Sequence, residues 1–284
     1  MAPEQDKIYY RHVDSRRKFL RLNYRDLLKY KDLIRFYAKK DLVASYRQTI
    51  FGPLWLFFTP LLASLIQMFV FGYLAGFKTG GVPQIIFYLF SNTAWQYYTQ
   101  NVSSNMDIYI RNVGVFGKVF FPRLTISYAN MLSNSAVTGA QLVMSGVFLV
   151  IFAILGEVRI AWTLPLMILP MLQLGLLGQG MGLLYAAIVV RYRDLRQVFP
   201  LVTNVLMYFS PVVYPLAQFE SPHLLRLALL NPFCAPLELL RAFLWNAPYP
   251  PVWSVIYSLV AVVVVNLLGI FAFNYTEKNF IDSI

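Results

Sequence analysis

The stretch LWLFFTPLLASLIQMFVFGYLAGF, residues 54–77, decides the fold class because it contains no Asp, Glu, Lys or Arg. At about 1.5 Å per residue, a helix of this length crosses the roughly 30 Å hydrocarbon core of a bilayer. Similar apolar runs follow at 124–156, 162–190, 198–219 and 252–274. Backbone amides in lipid must be hydrogen-bonded within their own helix, so these runs predict an all-α, polytopic membrane bundle.

Residues 85–110 predict a further span of unusual polarity, which brings the expected number of transmembrane helices to about six. Its amides and hydroxyls are Ser91, Asn92, Thr93, Gln96, Thr99, Gln100, Asn101, Ser103, Ser104 and Asn105. An unpaired polar group is costly in hydrocarbon. We therefore expect these side chains to face other helices or a water-filled conduit.

The composition and the charge distribution agree with a membrane protein. Only 13% of the residues are charged and 58% are hydrophobic, whereas soluble domains carry about 25% charged residues. If the amino terminus is cytoplasmic, 20 of the 24 Lys and Arg residues lie on the cytoplasmic side. The positive-inside rule then predicts that both termini are cytoplasmic. This distribution favours anionic lipid over nucleic acid as the partner of the net charge of +11.

Residues 1–53 predict a cytoplasmic tail and an amphipathic interface helix, ahead of a transmembrane permease domain at 54–284. Apolar residues at helical spacing, such as Leu20, Tyr24 and Tyr37, alternate with Lys and Arg. That pattern is typical of a helix beside anionic headgroups, and equally of a helix packed on a partner protein. Gly52 and Pro53 break the chain before the first span.

Residues 220–250 predict two short helical pieces separated by proline-rich breaks. Each piece is too short to span, so the pair fits a re-entrant or interfacial hairpin, or two surface helices outside the membrane. Glu238 and Arg241 stand three residues apart, which predicts a structural ion pair on one helix face. The sequence contains no phosphate-binding loop, no HExxH motif and no acidic Mg²⁺ cluster. We therefore expect no catalytic residue, metal site or cofactor in this chain, and any energy for transport must come from elsewhere.

Aromatic rings mixed with amides on the second span suit a carbohydrate path without fixed charge, although packing between helices is the simpler explanation of any single ring and explains the whole pattern equally well. Sugars present C–H faces to rings and hydroxyls to amides. The predicted lining residues are Trp95, Tyr98, Asn92, Gln96 and Tyr208.

Three segments carry a resemblance to a known family: SYRQTIFGPLWLFFTPLL at 45–62, VVRYRDLRQVFPLVTNVLMYFSPVVYPL at 189–216 and LLNPFCAPLELLR at 229–241. Over residues 35–284 the chain resembles the membrane subunit of type-2 ABC exporters for polysaccharides, of the O-antigen and teichoic-acid type. The resemblance implies a homodimer in the bacterial inner membrane, associated with two copies of a cytoplasmic ABC ATPase that binds ATP and Mg²⁺. The implied substrate is a glycan carried on a polyprenyl diphosphate lipid.

The resemblance also implies two working regions. The loop 111–122 would couple to the ATPase, through Arg111, Val115, Phe116, Lys118 and Val119. The segment 213–245 would form gate helices, and the expected gate residues are Pro211, Tyr214, Pro215, Asn231, Pro232, Glu238 and Arg241. Two alternatives stay open: an ABC permease for a drug or small lipid, and a polytopic acyl- or glycosyltransferase.

Overall fold

The computed structural model describes residues 30–46, 52–116, 121–219 and 221–281, and every regular element in these ranges is a helix. Helix α1 is Lys31–Tyr46, and α2 is Trp55–Gln67, which continues as a π-helical segment, Met68–Leu74. Helix α3 is Gln84–Met106, and two single-turn helices follow, α4 (Ile108–Arg111) and α5 (Val113–Phe116).

The second half of the chain contains the longest helices. Helix α6 is Leu124–Ile154, and α7 is Ile168–Val189 after a 3-10 turn at Leu164–Met167. Helix α8 is Leu195–Phe209, and it is followed by the short helices α9 (Pro222–Leu229) and α10 (Cys234–Trp245). Helix α11, Val252–Ile281, ends the described chain.

Four helical segments among the described residues are long and apolar enough to cross a membrane. They are Trp55–Leu74, Leu124–Ile154, Leu164–Val189 and Val252–Thr276. A fifth is reached if α9 and α10, which meet at 98°, are taken as one broken span. The predicted polytopic helical bundle is therefore confirmed, and so is the bent pair of short helices in the segment 220–250.

Two of the six predicted spans differ from the expectation. Helix α3 has 23 residues but is too polar to pass as a span by composition. Helix α8 has 15 residues and ends at Phe209, not near 219, so it measures only about 22 Å. Pro211 accounts for the early end, because the residue before a proline is driven out of helical geometry. Ser210 accordingly has φ −105° and ψ 151°.

Helix α3 forms the centre of the bundle, with α7 beside it in close contact. Glycines on α7 allow this approach. A Cβ atom on Gly178 would lie 2.5 Å from the Tyr98 carbonyl oxygen, and one on Gly182 would lie 2.7 Å from the Val102 carbonyl oxygen. On the far side of α7, a Cβ on Gly269 of α11 would lie 2.5 Å from the Gly180 carbonyl oxygen.

Helix α1 lies along α6 and buries Tyr37 and Ala38, with the Tyr37 ring 6.3 Å from that of Phe121. Its basic side chains, including Arg35 and Lys39, are exposed. The helix is therefore amphipathic and packs on its own chain. Residues 1–29 and 47–51, which include the rest of the predicted surface helix, lie outside the described residues, as does the side chain of Pro53. The predicted break at Gly52 and Pro53 lies in a 3-10 turn, Gly52–Leu54.

Candidate functional site

The break after α8 is held by side chains of the α9–α10 pair. Asn231, between those two helices, donates from Nδ2 to the Phe209 carbonyl oxygen and to the Ser210 hydroxyl, both at 3.0 Å. Its Oδ1 accepts the backbone N–H of Phe233 at 3.0 Å, at the start of α10. One amide therefore joins the end of α8 to the beginning of α10.

Arg241 of α10 is the main polar anchor of the same region. Its side chain is only 3% exposed, and Nη1 donates to Glu238 Oε1 at 2.7 Å, which confirms the predicted ion pair. Its Nη2 donates to Ser91 Oγ of α3 at 2.9 Å and to the Pro211 carbonyl oxygen. A buried charge needs such partners. Through them, Arg241 connects α10 with α3 and with the break after α8.

The remaining gate residues surround this anchor. The Tyr214 ring meets Phe219 edge-on at 5.4 Å, and Pro215 lines a cavity beside Glu238. The Pro232 carbonyl oxygen accepts from Ser258 of α11. The structure thus brings the predicted gate residues into one region, at the end of the bundle opposite α1.

The coupling region lies at the α1 end of the bundle. Asp107, directly after α3, is 4% exposed. Arg196 at the start of α8 holds it with two bonds, Nε to Oδ1 at 2.9 Å and Nη2 to Oδ2 at 2.8 Å, and Arg111 lies 3.4 Å away. Burial raises the pKa of Asp41 on α1, against the lowering effect of Lys40 and Arg111. Charges of three segments therefore meet here.

Phe116 is part of an aromatic cluster and not a free docking side chain. Its ring lies 6.2 Å from Tyr109 and 6.0 Å from Phe121, and the Arg123 guanidinium lies 4.8 Å above it. Ile110 and Val113, by contrast, are 39% and 49% exposed. Lys118 and Val119 lie outside the described residues, as does the side chain of Val115.

The predicted conduit residues do not line one open path in this structure. Trp95 and Tyr98 are 4% and 0% exposed, and both pack on Phe233, directly before α10, with ring centroids 5.3 and 4.6 Å away. Tyr208 lies apart from them, 55% exposed and 6.4 Å from Phe71. Aromatic rings prefer edge-to-face contact. The rings of Trp95, Tyr98 and Phe233 therefore fill the space between α3 and the start of α10.

The two predicted amides also face neighbouring helices. Asn92 donates to Ser64 and Gln67 of α2, both at 3.0 Å, and Gln96 accepts from Gln141 of α6 at 3.2 Å. The polar side chains of the second span were expected to face other helices or a water-filled conduit. Asn92 and Gln96 face other helices.

An open groove lies one turn further along the same face of α3. Its volume is about 220 Å³, and its lining includes Thr99 and Ser103 of α3 and Thr203 and Asn204 of α8. Trp95 and Thr99 are four residues apart and so share a helix face. The groove therefore lies between the α1 end of the bundle and the Trp95–Tyr98–Phe233 cluster.

Comparison with known proteins identifies the family. A model described as ABC-2 type transporter matches residues 32–245, well over half of the chain. This chain belongs to the ABC-2 type transporter family. It is similar to the O-antigen export system permease protein RfbA of Myxococcus xanthus, 27% identical over 232 residues, which are 80% of this chain and 85% of the relative. It is also similar to the O-antigen export system permease protein RfbA of Klebsiella pneumoniae, 22% identical over 184 residues, which are 64% and 69% of the two chains.

Family membership and the apolar helices together make the chain a multi-pass membrane protein and a transport component that associates with an ABC ATPase. In the structure of this ABC-2 protein, the contact beside the predicted coupling loop that the sequence did not predict is the pair Asp107–Arg196. Its members are 89 residues apart in sequence. The available signal was a lone carboxylate at the end of the polar span together with the basic loop RYRDLRQ at 191–197.

Proposed function

We propose that this ABC-2 protein is the transmembrane subunit of an exporter that moves a polyprenyl-diphosphate-linked polysaccharide across the bacterial inner membrane. It works as a homodimer with two copies of a separate ATPase, which binds ATP and Mg²⁺, and both of its termini are cytoplasmic. The observation that carries the proposal is the similarity to O-antigen export permeases, which extends over 80% of this chain.

The path for the glycan starts at the groove beside Thr99 and Ser103 and passes the Trp95–Tyr98–Phe233 cluster towards the gate region. Three hydroxyls and one amide line the groove beside apolar side chains and without a fixed charge, so a sugar chain is held weakly at several points and can slide. Contact among the three rings keeps this path closed, and movement of α10 away from α3 opens it.

The Tyr98 hydroxyl supports this role for the cluster. It is buried and has no hydrogen-bond partner among the described residues. An unpaired buried hydroxyl costs about 1–3 kcal/mol, so the closed arrangement carries an unfavourable term. An open state in which water or a sugar hydroxyl bonds Tyr98 removes that term.

Energy coupling uses Ile110 and Val113 as the contacts with the ATPase, and not Phe116, which is packed in the aromatic cluster. Ile110 and Val113 expose apolar surface next to the Asp107–Arg196 pair, and an exposed apolar turn of this kind fits a groove on a partner protein. A displacement of this turn reaches α8 directly, because Asp107 is bonded to Arg196.

The decisive experiment is deletion of the gene in its own host, with complementation by the wild type or by the Ile110→Asp/Val113→Asp double variant. We expect deletion to abolish surface polysaccharide and to leave lipid-linked glycan in the cytoplasmic leaflet. The double variant should insert normally, fail to co-purify with the ATPase and fail to complement. Normal surface polysaccharide in the deletion strain would overturn the proposal, and loss of drug resistance instead would favour a permease for small molecules.

A further inference from the structure

A second cavity lies at the end of the bundle opposite α1. Its volume is about 370 Å³, and it is enclosed by the α2–α3 connection, the end of the α8 break, the two short helices and the stretch 246–251. Small-molecule sites typically have volumes of about 300–1,000 Å³. It shares no lining residue with the groove at Thr99, so it is a separate candidate binding site.

Aromatic rings line part of the cavity. Tyr249 is 60% exposed and meets Phe243 edge-on at 6.1 Å. Phe219 is partly buried, and Trp245 is 9% exposed. Exposed ring faces around a concave site bind the apolar C–H face of a flat, otherwise polar ligand.

The polar groups of the cavity are hydrogen-bonding groups whose formal charges balance. Both bonds that Glu238 accepts, from Leu216 N–H and from Arg241, use Oε1, so Oε2 makes no hydrogen bond within the described chain. A carboxylate oxygen accepts bonds from hydroxyl groups. The charge of Glu238 is already offset by Arg241 at 2.7 Å, which favours a neutral ligand over a cation or an anion. Asn246, in the lining beside Trp245, is exposed and supplies both donors and an acceptor.

The wall beside these groups is stiff. Asn246 has φ 56°, which ends α10 in the left-handed conformation and turns the chain over the cavity. Pro248, Pro250 and Pro251 follow in the lining. Since proline fixes φ, the site loses little conformational entropy when a ligand binds.

We infer that this cavity binds one or two neutral sugar units of the outgoing glycan, with Tyr249 and Phe219 as stacking surfaces and Glu238 as hydroxyl acceptor. The inference rests on the proposed export function and deepens it, by placing a sugar site at the gate anchor Arg241, which lines the cavity. A sugar held there resists return of the chain into the path while the gate closes.

The test uses the whole exporter, the chain with its ATPase, in lipid nanodiscs. The probe is a set of lipid-free oligosaccharides of two to four sugars, released by mild acid from the polysaccharide of the host cell. Binding is measured by saturation-transfer NMR on wild type, Tyr249→Ala and Phe219→Ala. The matched control is Tyr257→Ala, because Tyr257 on α11 is exposed but does not line the cavity.

We expect a saturable signal from the wild type, a loss of about fivefold or more in affinity in the two cavity variants, and no change in the control. Equal binding by wild type and both variants, or no binding to the wild type, would overturn the inference. The inference would also be overturned if the two substitutions weakened the binding of undecaprenol and not that of the sugars, because the cavity would then hold a lipid chain. Export that needs the gene, together with any of these results, leaves the proposed function standing. Export that does not need the gene rejects the function itself.

Discussion

Arg196 at the start of α8 donates two parallel hydrogen bonds, 2.9 and 2.8 Å long, to the carboxylate of Asp107 at the end of α3. The carboxylate is buried, whereas 47% of the Arg196 side chain is exposed. Bidentate contact of this kind fixes direction as well as distance. It fastens α8 to the turn that leads into the coupling segment.

Loss of this contact should impair export more than folding. We expect Asp107→Asn and Arg196→Gln each to lower export by about tenfold, a typical scale for coupling between sites, with little change in melting temperature because Arg196 is half exposed. The double variant should lose no more than either single variant, since both remove one interaction. Arg193→Gln, an exposed arginine of the same loop, is the control. Additive losses in a quantitative export assay would show that the two residues act separately.

Removing Arg241 should destabilise the fold strongly. Arg241→Met leaves the Glu238 carboxylate buried without its partner, which costs about 3–5 kcal/mol. Adding Glu238→Gln removes the orphaned charge, so the double variant should recover part of that loss. Equilibrium unfolding in detergent measures both effects, and Arg226→Met on the exposed side of α9 should change stability by less than about 0.5 kcal/mol. A single variant as stable as the wild type would mean that Glu238 finds another partner.

The glycine contacts between α3 and α7 should not tolerate a methyl group. Gly178→Ala and Gly182→Ala place a Cβ against backbone oxygens that cannot rotate away, so we expect losses of about 1–3 kcal/mol. Gly146→Ala is the matched control, because its Cβ meets nothing within 4 Å. In that helix alanine should be neutral or stabilising by up to about 1 kcal/mol. The shifts in melting temperature should have opposite signs, and equal shifts would contradict the close approach of the two helices.

The groove and the ring cluster should differ in access to water. Cysteines placed at Thr99, Ser103 and Asn204 should react with a membrane-impermeant maleimide in inside-out vesicles. Cysteines at Trp95 and Tyr98 should stay unlabelled until ATP and substrate are added. Constant protection of both positions during turnover would place the path elsewhere, and labelling in the resting state would mean that the rings never close it.

The sequence predicted features that depend on local composition or spacing. The charge-free runs located four spans, and the spacing of Glu238 and Arg241 gave their ion pair. The predicted span 198–219 ran past Pro211, whereas α8 ends at Phe209, because the residue before a proline leaves helical geometry as well.

Features that depend on distant partners could not be predicted in the same way. Aromatic rings on a polar helix look alike whether they line a path or pack on another ring, and Phe233, which covers Trp95 and Tyr98, lies far along the chain. The pairing of Asp107 with Arg196 likewise depends on how α3 and α8 meet. Helical periodicity describes a face, but not the partner of that face.

The glycine contacts on both sides of α7 divide the molecule into parts of unequal stiffness. Backbones that touch cannot slide past each other without separating completely, so α3, α7 and α11 behave as a single frame. Helices α8 and α10 carry individual polar contacts to α3 and its end, through Arg196 to Asp107 and through Arg241 to Ser91, and Asn231 joins the end of α8 to the start of α10. Such polar contacts can be exchanged one at a time with water or substrate. The transport cycle therefore combines a rigid group of three helices with a few contacts that can break and re-form.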